Sequence, residues 1–166
     1  MKKILLILIA LTVLSSIMVS FVRPAIAITS TGASVLISAS AITTMNVPMP
    51  ASISSGDLLI AAAHVRNTGT WTLSTGWVEL GSQVGGATVG ELTVFYKIAD
   101  GTEGATQTFT ASVGTSVVWH TRKITDWHGT TPPEMATASG DVSDANPPTL
   151  TPSWGSDETL WISVAG

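Results

Sequence analysis

Past residue 27 the hydrophobic positions fall into short runs separated by glycine, proline, asparagine and aspartate, and none of the runs carries a helical period. ASVLISAS (33–40) reads as a first strand. TTMNVPMPA (43–51) holds two prolines, which confines it to a sheet edge or a loop. DLLIAAAHVR (57–66) is apolar at successive positions, so both of its faces are expected to be covered, as in a central strand. NTGT (67–70) turns the chain, WTLSTGWVEL (71–80) is interrupted at Gly76, and GSQVGGATVG (81–90) reads as a flexible loop. ELTVFYKIA (91–99) alternates, with Leu92, Val94, Tyr96 and Ile98 on one face and Glu91, Thr93, Phe95 and Lys97 on the other. DGTEGA (100–105) is a turn, followed by strands TQTFTAS (106–112) and TSVVWHTRKIT (115–125). HGTTPP (128–133) and DANPPTLTPS (144–153) are loops, and SDETLWISVAG (156–166) opens a further hydrophobic strand.

Short strands at near-regular spacing with turn residues between them predict an all-β, antiparallel β-sandwich of jelly-roll-like type. A parallel solenoid would need a fixed repeat of roughly 20–30 residues, and none is present. PASISSGDLLIAAA, from Pro50, and PSWGSDETLWISVA, from Pro152, share an order: proline, serine, an acidic residue, then an apolar strand. Two halves of one sandwich opening alike would produce this. On that reading the second half has barely begun at Gly166, and residues 28–166 are a β-sandwich domain truncated at its C-terminus.

The N-terminus differs from the rest. MKK is a basic start, Ile4 to Val22 is continuously apolar or small, and RPAIA supplies a helix breaker and an A-x-A site at Ala25-Ile26-Ala27. This is the pattern of a secretory signal peptide over residues 1–27. The apolar run is also close to a minimal membrane span, so a retained N-terminal anchor is the alternative, and membrane contact is expected only then. Either way the remainder is expected outside the cytoplasm, secreted or at the cell surface.

Removing residues 1–27 takes away Lys2, Lys3 and Arg23, so the mature chain has 7 − 3 = 4 cations against 11 acids, a net charge of 4 − 11 = −7. That balance argues against nucleic acid and anionic lipid as partners. Only 11% of residues are charged and there is no cysteine, so burial, bound ions or oligomerisation must hold an exported domain that lacks disulfides.

Several segments together resemble a group of β-sandwich modules of phage virion and tail-fibre-like proteins and of secreted bacterial surface proteins. They are Gly56-Asp57-Leu58-Leu59, Gly76-Trp77, Tyr96-Lys97, Asp100-Gly101, Thr106 to Thr110, Trp127-His128-Gly129 and Asp157 to Leu160. Their order, over roughly residues 45 to 166, carries the resemblance. It implies a structural or adhesive module, further strands beyond this point, and no catalytic residues.

Candidate chemistry is sparse. His64 and His120 lie on expected strands and His128 in a loop. Zinc needs three or four ligands, so rim or half-buried histidines are the simpler reading. Asp141, Asp144 and Asn146 offer oxygen ligands for calcium without the EF-hand spacing, and an ordinary polar turn is preferred. Asp100 and Glu103 are a carboxylate pair of the kind glycosidases use, but in a tight turn both are expected to face water. No G-x-S-x-G elbow is present. No metal or other cofactor is expected.

Six tryptophans, all in the mature chain, are the main feature. Trp119 and Trp161 are mid-strand and expected in the core. Trp71, Trp77, Trp127 and Trp154 lie at strand ends or in loops, and are the candidate ligand-binding residues. Rim indoles stack on sugars or anchor a protein partner; otherwise they plug the ends of the core with each N–H bonded to a carbonyl. The expected function is a non-enzymatic extracellular structural or adhesin-like module that binds a surface glycan or a protein, or assembles with itself. The alternative is a carbohydrate-binding module of a larger secreted enzyme.

Overall fold

The computed structural model describes residues 29–85, 90–127, 129, 131–138, 148–155 and 159–164, without the side chains of 34–41. The described chain contains no helix and forms one antiparallel sheet of six strands. These are β1 (Thr29–Pro48), β2 (Leu58–Val65), β3 (Trp71–Leu73), β4 (Val78–Val84), β5 (Glu91–Ile98) and β6 (Thr106–Thr125). The order is β1-β6-β2-β5-β4, and β3 pairs with β6 off that path. The fold is all-β, antiparallel and sandwich-like.

One sheet makes two layers because β1 and β6 fold over together. Phe109 and Trp119 are ten residues apart on β6, and a straight strand would separate them by about 33 Å. Their ring centroids are 4.6 Å apart. The end of β6 at Phe109 to Ala111 pairs with Met45 and Thr44 of β1 and with Trp71 to Leu73 of β3, forming a small layer. The stretch from Val117 to Ile124 lies between Thr29–Ile37 of β1 and all of β2, within the large layer. The bend falls where the β1–β6 register slips, between Ile37 and Thr44. Bulges of this kind sharpen twist and let a strand turn a corner. The buried Thr121 hydroxyl spans the fold, lying 3.1 Å from the Ala33 carbonyl and 3.0 Å from that of Pro48, near opposite ends of β1.

The core between the layers is aromatic. Phe95, Phe109 and Trp119 are fully buried, with Met45 and Val47 beside them. β2 runs between β5 and β6, and its small residues make room for their rings. Ala61 is opposite Phe95 on β5, and Ala63 is opposite Trp119 on β6. Those two rings then stack at 5.9 Å. The Trp119 N–H points at the Met45 sulfur, 3.3 Å away. Full burial of such a side chain contributes roughly 1.5–3 kcal/mol.

The alternation of β5 holds, with its more polar set turned inward. Glu91, Thr93, Phe95 and Lys97 are buried toward the core. Leu92, Val94 and Tyr96 form a second cluster on the outer face with Leu58, Ile60, Ala62 and Ile124. Leu80, Trp127, Met135 and Val164 pack against this cluster, so the chain after β6 covers part of the outer face.

Four expectations are corrected. Residues 33–40 and 43–48 belong to one strand, β1, which ends at Pro48 and lies at an end of the sheet order as its prolines required; only their separation is corrected. The segments 106–112 and 115–125 are likewise the single strand β6. Strand pairing continues through Gly81 to Val84, where a loop was expected. The described part of the closing segment, 159–164, is not a strand, and Trp161 is 60% exposed. Apolar residues at consecutive positions are what a buried strand shows, and they do not by themselves supply a pairing partner. Residues 1–27, His128, the Asp141–Asn146 loop and Asp157 lie outside the described residues.

Candidate functional site

The four candidate tryptophans occupy different places. Trp71, half-buried at the start of β3, meets Phe95 and Trp119 edge-on at 5.5 and 5.4 Å. Trp77 is buried, edge-on to Phe109 at 5.2 Å, and donates from Nε1 to Gln107 Oε1 at 3.2 Å. Trp127 is half-buried against the outer-face cluster and donates to the Gly56 carbonyl at 2.7 Å. Trp154 is half-buried and donates to Thr159 Oγ1 at 3.2 Å. No single surface gathers all four: Trp71 and Trp77 belong to the inner core, Trp127 to the outer cluster, and Trp154 to the chain beyond β6.

Several of the short motifs do converge, at the end of the sandwich where β2 starts and β5 stops. Ser54 to Asp57 form a turn closed by the Asp57 N–H on the Ser54 carbonyl, with Gly56 at φ +93°. The left-handed φ is open to glycine at no steric cost. Asp57 Oδ2 accepts the Ser54 N–H at 2.8 Å, and Gly56 and Asp57 pair with Ala99. Ser74 to Trp77 form a second such turn with Gly76 at φ +85°. A Cβ on Gly76 would lie 3.1 Å from the Lys97 side chain. The Asp100–Glu103 turn packs on the first, with Gly101 close against Ser55.

Lys97 sits among these turns with its side chain only 9% exposed. Its ammonium is 3.2 Å from Glu103 and 3.3 Å from Asp100. The Glu103 side chain is fully buried, so it does not face water as a turn carboxylate was expected to; Asp100 does, at 58% exposure. Glu103 accepts the N–H groups of Asp100 and Gly101 at 2.8 and 3.0 Å. Burial pushes its pKa up, but the backbone N–H of Asp100, its own N–H and Lys97 outweigh this and hold it below 4.5. Hydrogen bonds from the Thr102 hydroxyl and N–H bring Asp100 down to about 2, with Lys97 contributing less. Gln107 closes the cluster by donating to the Glu103 carbonyl. Both carboxyls are therefore ionised at neutral pH and engaged by the chain's own donors, which is turn-locking chemistry.

His64 and His120 lie on adjacent strands. His120 is opposite Ala62, two residues from His64. His120 is exposed, and the His64 ring covers the backbone of Gly90. Among the described residues no three acidic or histidine side chains are placed to hold a metal ion. No helix among them is long and apolar enough to cross a membrane.

The feature that sequence reasoning missed is at Thr159 to Val164. Leu160, Trp161 and Ile162 are consecutive and 39%, 60% and 42% exposed. Thr159 is tied to the Trp154 indole, and Val164 rests on the outer cluster. The middle of the segment is held out between these two anchors. Nothing in its periodicity separates it from a core strand such as β2. Comparison with known protein families, characterised proteins and solved structures finds no match for this chain.

Proposed function

We propose that the chain is an exported, non-enzymatic structural or adhesin-like module, secreted or held at the cell surface, that acts by binding a surface or by assembling. The observation that carries this reading is the exposed run Leu160-Trp161-Ile162. Contiguous apolar surface of this kind marks an interaction site. Trp161 is the residue type that dominates binding energy at such sites. The ionisable groups at the motif cluster support the same reading, because Glu103 and Lys97 are spent on holding turns. The acidic mature charge favours a neutral or basic partner over nucleic acid.

A carbohydrate-binding role within a larger secreted enzyme is the second reading. The Trp154 N–H bond to Thr159 sets a second indole beside the exposed run, an arrangement suited to stacking on sugar rings.

The test is retention of the full exported chain on insoluble neutral polysaccharides, together with its sedimentation behaviour, for the wild type and Trp161→Ala. The reading expects retention or self-association that falls at least tenfold in the variant. A wild type that neither binds nor associates would overturn it.

A further inference from the structure

We infer that Met135 is a site of oxidation by peroxide, and that its conversion to the sulfoxide loosens the chain beyond β6 from the outer face of the sheet. The switch is internal to the chain and independent of what the exposed run at Leu160 to Ile162 binds.

The chain has no cysteine, so thioethers are its only sulfur. Three methionines fall among the described residues, and burial divides them. Met45 and Met49 are 1% and 7% exposed within the inner core, and the Met45 sulfur also receives the Trp119 N–H. Met135 is half-buried, so of the three it is the one that an oxidant in solution reaches.

The same residue holds the covering chain in place. Its sulfur rests where Gly81 lacks a side chain, since a Cβ there would lie 3.5 Å from it. Gly81 is opposite Val94 of the outer cluster, so the thioether closes the β4 side of that cluster. Beyond β6, the described contacts with the cluster are Trp127, Met135 and Val164. Met135 also adjoins the links that run on to Val164. The Glu134 carboxylate accepts the Ser153 N–H at 3.1 Å, and Trp154 donates to Thr159. A hydroperoxide transfers one oxygen to the thioether: its O–O bond breaks, an S–O bond forms, the sulfur gives up two electrons, and hydrogen peroxide leaves as water. The sulfoxide is polar where the thioether was apolar. Holding it against the apolar cluster costs the contact that the thioether made there. The chain around Met135 then parts from Gly81 and uncovers the β4 side of the cluster.

The test is brief exposure of the full exported chain to dilute hydrogen peroxide, with Met135→Leu and Met135→Gln as variants. Peptide mass mapping follows oxygen gain at each methionine, and a fluorescent dye that binds apolar surface follows the uncovering. Leucine keeps the apolar contact and cannot be oxidised, while glutamine supplies polarity at this position without the oxidant. Met135 is expected to gain one oxygen about tenfold or more faster than Met45 or Met49. Dye emission of the wild type should rise roughly twofold or more in step with that gain, and fall back when the two methionine sulfoxide reductases, one for each epimer, are added. Met135→Leu should stay low throughout, and Met135→Gln should start high. Far-ultraviolet circular dichroism should not change, because the strands themselves stay paired. The inference is overturned by a core methionine that oxidises as fast as Met135, or by Met135 sulfoxide without a rise in dye emission. It is equally overturned by a Met135→Leu chain that responds to peroxide as the wild type does, or by loss of the sheet signal on oxidation.

Discussion

Replacing Glu103 by glutamine should cost far more than a surface substitution, because it leaves the Lys97 ammonium buried with only the exposed Asp100 as counter-charge. Breaking a buried ion pair by removing one partner costs about 3–5 kcal/mol, and Asp100 at 3.3 Å argues for the lower end, about 3 kcal/mol. For a domain of this size about 3–4 °C in Tm accompanies each kcal/mol, so the expected shift is about 10 °C. The glutamine carbonyl can accept only one of the two backbone N–H groups that Glu103 holds, so the substitution also leaves an N–H facing an amide NH2. Removing both charges in Lys97→Met/Glu103→Gln should restore the part of the loss that comes from the unpaired ammonium, leaving about 1–3 kcal/mol for the unsatisfied N–H. pH gives an independent readout. Both carboxyls titrate below their ordinary values when folded, so the stability they contribute is complete above the unfolded values of 4.5 and 3.8 and is lost as pH falls through the folded values, toward about 2 for Asp100. The wild type should lose stability on acidification over that window, and Glu103→Gln should lose less. Thermal unfolding by circular dichroism at neutral and acid pH measures both effects. A double variant as unstable as the sum of the two single changes would refute the reasoning, as would a Glu103→Gln shift under about 2 °C.

Phe109→Ala should cost about 3–5 kcal/mol, because its ring holds the small layer against Phe95, Trp77 and Trp119; urea unfolding followed by tryptophan fluorescence measures the loss. Gly76→Ala places a Cβ at φ +85° and 3.1 Å from Lys97, and should lower the urea midpoint by the equivalent of about 1–2 kcal/mol.

Sequence reasoning reads the local pieces of this fold well and their junctions poorly. β2 and β5 lie where their apolar and alternating runs place them, and the break at Gly76 separates β3 from β4. These signals are local, set by side-chain period and by a glycine in a turn. The union of 33–40 with 43–48, and of 106–112 with 115–125, was not legible. Gly114 looks like ordinary punctuation and the prolines mark only the end of β1; it is the pairing of β1 with β6 that carries both strands through the bend. β5 shows the same limit: its alternation was plain, yet the face holding Glu91 and Lys97 turned inward, because Phe95 shares it and completes the aromatic core. The surface at Leu160 to Ile162 was hidden for the converse reason, since a composition suited to a core does not reveal that its place in a sheet is unfilled.

The pairing of β1 with β6 also sets the order in which the molecule can come into being. β1 is made first, yet its partners run from Thr106 to Thr125, so Thr29 waits for Thr125. Both layers depend on that ribbon, and neither can close while β6 is unmade. Contacts so distant along the chain slow folding. Closing the β1–β6 ribbon is therefore the step that sets the pace at which both layers form.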